Sequence, residues 1–284
     1  MNDPNRYLLR RVPAVISGRA NPVARVMIKR RLARMLRMLN RPSDVPVVLL
    51  YHSVGLSSWA VSAESFAAQI SYLVRERNVI ALDSLCWGKL ELAIPRSVVI
   101  TFDDGYNSLL YVAAPILAQN SCSATVYLNT GWIGGTEGRT SDPSLGHYPN
   151  EMFLTWPEAE RLADLGWTIG SHGVDHVDLT RCTPADMAEQ LALSRMHIVD
   201  RGFGACHHFA YTWGRHSTNL TEAVKRAGYL DAAAGIHGRL TPTVNRYAFP
   251  RINIDRYLTL DDFRAVMCGD WDYLKWFQRT RELW

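Results

Sequence analysis

The chain has 284 residues, of which 48% are apolar, 20% are charged and nine are tryptophan. That is ample for one large α/β domain or two small ones, and it excludes a disordered or low-complexity chain. The net charge of +4 is unevenly spread: residues 1–41 hold eleven Lys/Arg against Asp3 alone, while the remainder carries twenty basic and twenty-six acidic residues and is mildly acidic.

Within the basic start, Ile28, Leu32, Met35, Leu36 and Leu39 recur at helical spacing, with Arg30, Arg34, Arg37 and Arg41 on another face. A basic amphipathic helix is suited to lying on an anionic membrane surface, here through residues 22–41. The alternative is a helix that packs its apolar stripe on the domain or on a protein partner. Nucleic acid is not expected as a partner, since no recognition motif accompanies the charge. No run is long enough to span a bilayer, and charges interrupt Val23–Leu39, so a secretory signal is not expected either. An Arg-rich, acid-poor start also suits an organelle transit sequence. Five widely spaced cysteines, an odd number, argue against a disulfide framework. Together these features favour a reduced, cytoplasmic setting, peripheral at the inner membrane surface. Residues 1–42 are therefore read as an extension and 43–284 as the folded domain.

After the extension, strand-type and helix-type segments alternate. Val47–Tyr51 precedes Glu64–Arg77, in which Phe66, Ile70, Leu73 and Val74 share a face. Val98–Phe102 precedes Leu109–Gln119, Ala124–Leu128 precedes Pro157–Leu165, and a short strand ends at Gly170. Ala185–Asp200, the strand His207–Tyr211 and Thr221–Ala227 follow. Such alternation argues for a parallel sheet or a barrel with outer helices. The Gly-rich stretch Gly131–Asn150 is long for a connection and suits a cleft wall.

Two motifs carry chemistry. Phe102-Asp103-Asp104-Gly105 ends the apolar run that starts at Ser97, and two carboxylates at a buried strand end call for a positive partner. Gly170-Ser171-His172-Gly173-Val174-Asp175-His176 supplies two imidazoles four residues apart, which one helical turn would bring to the same side. Two neutral imidazoles and one carboxylate form a three-ligand set with coordination positions left for water and substrate. A divalent metal is the expected cofactor: zinc first, with cobalt, nickel or manganese also suited. Cys206-His207-His208 suggests a second metal, but no partner ligand lies at a suitable spacing, so it reads as a strand start.

Thr-Phe-Asp-Asp-Gly followed by Ser-His-x-x-x-His resembles the NodB-type polysaccharide deacetylases, carbohydrate esterase family 4, over about Val47–Ile254. The resemblance implies an irregular, deformed (β/α) barrel over 43–284. It also implies removal of an N-acetyl group from an amino sugar in a polysaccharide or lipid-linked saccharide. It assigns Asp103 as base and Asp104, with His172 and His176, as metal ligand; the residues alone do not decide between the two aspartates. No histidine follows Ile254, where many members carry their acid. The early strand ending in His52 is similar to the permuted arrangement of poly-N-acetylglucosamine deacetylases, which implies His52 as acid. Ala210 stands where many members have an arginine that orients the base, and Thr212 where proline is usual. Arg251 either supplies the missing guanidinium or is a surface arginine. Tyr211 and Trp213 either line a sugar groove or pack in the core. His147, His197, His216 and His237 read as structural or surface residues. Two rival functions are a deformylase or amidase acting on another C–N bond, and a non-catalytic glycan-binding relative.

Overall fold

Eight parallel strands form one curled sheet: β1 (Val47–Tyr51), β2 (Asn78–Val79), β3 (Ser97–Phe102), β4 (Thr125–Leu128), β5 (Thr168–Ser171), β6 (His208–Ala210), β7 (Asp231–Ala233) and β8 (Ile252–Asn253). The computed structural model describes residues 22–37, 43–55, 57–85, 87, 89 and 94–275. The strand order is β7–β6–β5–β4–β3–β1–β8, with β2 beside the start of β3. Val47 lies opposite Val98 and Tyr51 opposite Phe102, so β1 and β3 end level. The segment entering β8 meets the one leaving β7 through a bridge between Ala233 and Phe249, and Arg251 N–H donates to the Ile236 carbonyl. This is the deformed (β/α) barrel expected from the alternation of elements.

Helices α1 (Pro22–Arg37), α2 (Ala63–Glu76), α3 (Ala114–Gln119), α4 (Trp156–Asp164), α5 (Pro184–Val199), α6 (Thr218–Arg226) and α7 (Leu260–Cys268) accompany the sheet. Five of them start on a Ser or Thr whose hydroxyl accepts from the N–H three residues on: Ser62, Thr155, Thr183, Ser217 and Thr259. Each such cap is worth about 1 kcal/mol and fixes where the strand-to-helix loop ends. Before α3 a π-helical turn spans Leu109–Ala113. On α2, Phe66, Ile70 and Leu73 are buried as expected, whereas Val74 is exposed.

Side-chain parity divides the strands. Val47, Leu49 and Tyr51 point outward into the main core under the helices, while Val48 and Val99 belong with Tyr127, Ala210, Ala233 and Phe249 to a second, smaller core. The period of two places Thr101 and Asp103 on the same face as Val99, and His52 on that of Val48. The polar residues at the C-terminal ends of β1, β3 and β5 are thereby gathered at one end of the sheet.

Helix α1 does pack on the domain, but by the face opposite the one its pattern suggested. Val26 and Ala33 are buried, and Arg30 reaches Asp262 in a two-pronged ion pair, with Nε 2.7 Å from Oδ1 and Nη2 2.5 Å from Oδ2. Arg30 therefore serves the domain contact and not a free basic face. Ile28, Leu32 and Met35 lie about half a helical turn away from Val26 and Ala33, and all three are exposed. The side chains of Arg34, Leu36 and Arg37, and residues 38–42, lie outside those described. Among the described residues no helix is long and apolar enough to cross a membrane.

Candidate metal centre

Three strand ends build the site. Asp103 and Asp104 follow β3 directly, and the turn that exposes them is left-handed at Asp104 (φ 73°) and at Gly105 (φ 85°). Aspartate tolerates that conformation better than most residues. At Gly105 a side chain would also come within 2.7 Å of the Leu128 methyl, so glycine is required twice over. His172 follows β5. His176 does not sit one helical turn beyond it: Gly173 and His176 both have positive φ, and the chain doubles back in a loop. The two imidazoles still face the same carboxylate.

Nε2 of His172 lies 3.7 Å and Nε2 of His176 lies 3.4 Å from Oδ1 of Asp104. All three donor atoms lie within 4.8 Å of one another, and all three residues are buried. Each Nδ1 donates to a backbone carbonyl: that of His172 to Ala210 at 2.8 Å, that of His176 to Leu145 at 3.0 Å. These bonds fix the neutral tautomer and leave both Nε2 lone pairs aimed at the shared space, the arrangement a metal-binding histidine needs. Burial pushes the His172 pKa down, which keeps that lone pair free, and the nearby Asp103 and Asp104 only partly oppose it. In a tetrahedral site with bonds of about 2.1 Å, donors are about 3.4 Å apart, so the cluster fits a small divalent ion.

Asp103 stands beside this set and is held from the other side. Arg251 Nη1 donates to Oδ1 at 2.6 Å and Nη2 to Oδ2 at 2.7 Å, with both side chains almost wholly buried. The guanidinium is itself fixed by Nε donating to the Ala234 carbonyl and by Tyr127, whose ring centre is 5.5 Å away. Arg251 is thus a buried partner of the first aspartate and not a surface residue. Burial acts to raise the Asp103 pKa, but the charges of Arg251 and His172 and the Arg251 hydrogen bonds outweigh it, and the carboxyl stays below its usual range. Oδ2 of Asp103 is also 3.9 Å from His172 Nε2.

His52 ends β1 on the other side of the carboxylates. It is partly exposed, and its ring centre is 5.2 Å from that of Tyr148. Trp213 is 38% exposed and its indole lies 5.1 Å from the His176 ring, at a wall of the site. Any side chain at Gly146 would overlap that indole. Tyr211 is a correction: it is wholly buried in the main core, and its hydroxyl donates to the Tyr247 carbonyl at 2.7 Å, so it cannot face a groove.

Several residues escaped the sequence reading. Asn129, the residue after β4, is wholly buried and donates from Nδ2 to Asp104 Oδ1 at 3.3 Å. Its position at a strand end was the available signal. His147, read as structural, is buried with its ring 5.0 Å from that of His176. Burial depresses its pKa to about 3, so it stays neutral. Leu145, Gly146, His147 and Tyr148 together form a roof over His176 and beside His52, within the Gly-rich stretch. Away from the site, His208 pairs with Asp83 and Asp231 and Cys206 is buried; Asp104, His172 and His176 form the sole such metal-ligand cluster among the described residues.

Residues 93–232 match the family model described as polysaccharide deacetylase. YxkH of Bacillus subtilis strain 168 is 26% identical over 232 residues, covering 80% of this chain and 77% of its own length. The poly-beta-1,6-N-acetyl-D-glucosamine N-deacetylase of Staphylococcus aureus strain MSSA476 is 25% identical over 224 residues, covering 76% of this chain and 73% of that protein. The fold is shared with the Streptococcus pyogenes deacetylase PplD, solved with acetate. The TM-score is 0.67 at 20% identity, over 80% of this chain and 99% of that one.

Proposed function

The chain belongs to the polysaccharide deacetylase family, and on that basis we propose that it is a metal-dependent hydrolase removing N-acetyl groups from amino sugars in a polysaccharide or lipid-linked saccharide. The observation that carries this reading is the pairing of Asp103 with Arg251 beside the three-ligand cluster. A glycan-binding protein has no use for an ionised carboxylate fixed next to a metal site; a hydrolase needs one. Lewis acidity for the acyl oxygen and for the attacking water would come from a divalent ion, zinc or else cobalt, nickel or manganese, held by Asp104, His172 and His176. Asp103 then takes a proton from the water as its oxygen bonds to the acyl carbon. Arg251 keeps that carboxylate ionised and correctly turned. As the C–N bond breaks, His52 gives a proton to the departing amine, leaving acetate and a free amino sugar. Trp213 walls the substrate cleft on the His176 side. A deformylase or amidase would use the same groups, and the acid released distinguishes them.

Metal content and turnover, measured together on three proteins, test the assignment. The wild type should hold one divalent ion per chain. His172→Ala should lose ion and activity in parallel, and Asp103→Asn should keep the ion while losing most of the rate. Full occupancy in His172→Ala would remove that residue from the ligand set, and an active Asp103→Asn protein would remove Asp103 as the base.

The same proposal places the protein at the cytoplasmic surface of an anionic membrane, where a lipid-linked saccharide would be met before export. In this division residues 1–42 form the attachment and 43–284 the catalytic domain. Support comes from Ile28, Leu32 and Met35, exposed on the side of α1 turned away from the domain, in a segment whose only acidic residue is Asp3. Apolar insertion and the attraction of anionic lipid for arginine would act together there.

A further inference from the structure

The loop after His52 carries a second feature that the hydrolytic chemistry does not use. The described residues 53–55 and 57–61 are tied together: Val61 N–H donates to the Ser53 carbonyl at 3.1 Å, Gly55 N–H to the Val61 carbonyl at 2.9 Å, and Ala60 N–H to the Ser57 carbonyl at 3.1 Å. Val54 and Val61 form a bridge and are both buried, so the loop is pinned at its base. On this loop stands Trp59, 51% exposed. Its indole stacks on Tyr148, with ring centres 5.9 Å apart and planes at 29°. Tyr148 in turn lies against His52 at 5.2 Å and nearly parallel to Tyr106 at 5.9 Å and 12°. The Tyr148 N–H donates to the Tyr106 hydroxyl at 2.8 Å, which fixes the middle of the stack.

A large apolar ring held half in water on a closed loop gives little to the stability of the fold. It presents instead a preorganised apolar face, and a partner that covers it gains burial without first ordering the protein. The position is specific: Trp59 is two ring contacts out from His52, hence beside the reacting acyl group and not over it. A pyranose ring suits such a face, because its C–H surface packs on an aromatic plane while its hydroxyls stay in water. We propose that Trp59, backed by Tyr148, is a stacking platform for the sugar neighbouring the one that is deacetylated, so that the protein selects sugar chains over single amino sugars. This rests on the deacetylase reading for the identity of the ligand.

Binding and turnover separate the two ideas. Calorimetry on the Asp103→Asn protein, with and without Trp59→Ala, would use N-acetylglucosamine and its β-1,6- and β-1,4-linked tetrasaccharides. Trp59→Ala should weaken binding of at least one tetrasaccharide by about tenfold and change monosaccharide binding by much less. Trp59→Phe should retain most of the affinity. In the active background, Trp59→Ala should raise KM for the tetrasaccharide more than it lowers kcat. Equal tetrasaccharide affinity with and without the indole, an equal loss on monosaccharide and tetrasaccharide, or no tetrasaccharide binding at all would overturn the platform. Absence of acetate release by the wild type, with Trp59-dependent binding intact, would overturn the hydrolase and leave the platform standing.

Discussion

Replacing Arg251 by methionine tests how the base is held. Arg251 and Asp103 are buried, and they share two charge-assisted hydrogen bonds of 2.6 and 2.7 Å. Removing one member of such a pair strands the other, at a cost of about 3–5 kcal/mol. The stranded carboxylate can escape part of that cost by taking up a proton. Burial is the largest influence on Asp103 and acts to raise its pKa; Arg251 is the first of the influences that hold it down. Without the guanidinium, burial prevails and the group titrates upward. In the wild type the folded-state pKa lies below the ordinary 3.8, so the pair contributes stability above that pH and loses it as pH falls through the folded value. In Arg251→Met the sign reverses, and the stranded carboxylate destabilises more as pH rises. Urea unfolding at pH 7 should show the loss, and the acid limb of kcat/KM should move up by about one pH unit or more. Adding Asp103→Asn to Arg251→Met should restore stability relative to Arg251→Met alone. A stability change under about 1 kcal/mol together with an unmoved acid limb would mean that Arg251 does not keep Asp103 ionised.

Other outcomes follow from the same structure. His208, clasped by Asp83 and Asp231, has its pKa raised to about 9 against burial, so its contribution to stability should be complete below about pH 6.5 and fade as pH rises through about 9; urea midpoints from pH 6 to 10 should fall in the wild type more steeply than in His208→Gln. Asn129→Ala removes the donor to Asp104 Oδ1 and should weaken metal binding by about tenfold or more, read by competition with a chelator. Replacing Ile28, Leu32 and Met35 together by serine should release the protein from anionic vesicles in a flotation assay, while Arg30→Ala should chiefly loosen α1 from Asp262; binding unchanged by the triple substitution would contradict the membrane face.

The strand ends were legible because apolar runs stopping at Gly or at a polar pair mark where a buried strand reaches one end of the barrel. His52, Asp103, Asp104 and His172 are all of this kind. Parity was not legible. In a parallel sheet covered on both faces, inward and outward residues are both apolar, so the run His207–Tyr211 does not tell which side chains face the site. Tyr211 shares the outward face with Phe209, and the inward positions fall to His208, Ala210 and Thr212. The spacing of His172 and His176 suggested a helix, but left-handed turns at Gly173 and His176 override the period. His147 and Tyr148 reach the site through a loop whose path depends on packing against Trp213, Tyr106 and Trp59, partners distant in sequence. Arg251 was singled out for its charge; its role emerged only with the approach of the chain entering β8 to the end of β3. On α1, helical spacing identified the apolar stripe correctly, but the face that docks is marked only by Val26, Ala33 and the partner Asp262, 232 residues away from Arg30.

The most direct measurement is of the products released from N-acetylglucosamine oligosaccharides by the metal-loaded protein, the same protein after chelation, and Asp104→Ala. Acetate and free amine should appear in equal amounts with the loaded wild type, vanish on chelation, return when the ion is restored, and stay absent in Asp104→Ala. Formate release from N-formylated oligosaccharides with no acetate from the N-acetylated ones, or acetate release that survives both chelation and Asp104→Ala, would contradict a metal-dependent N-deacetylase built on Asp104, His172 and His176.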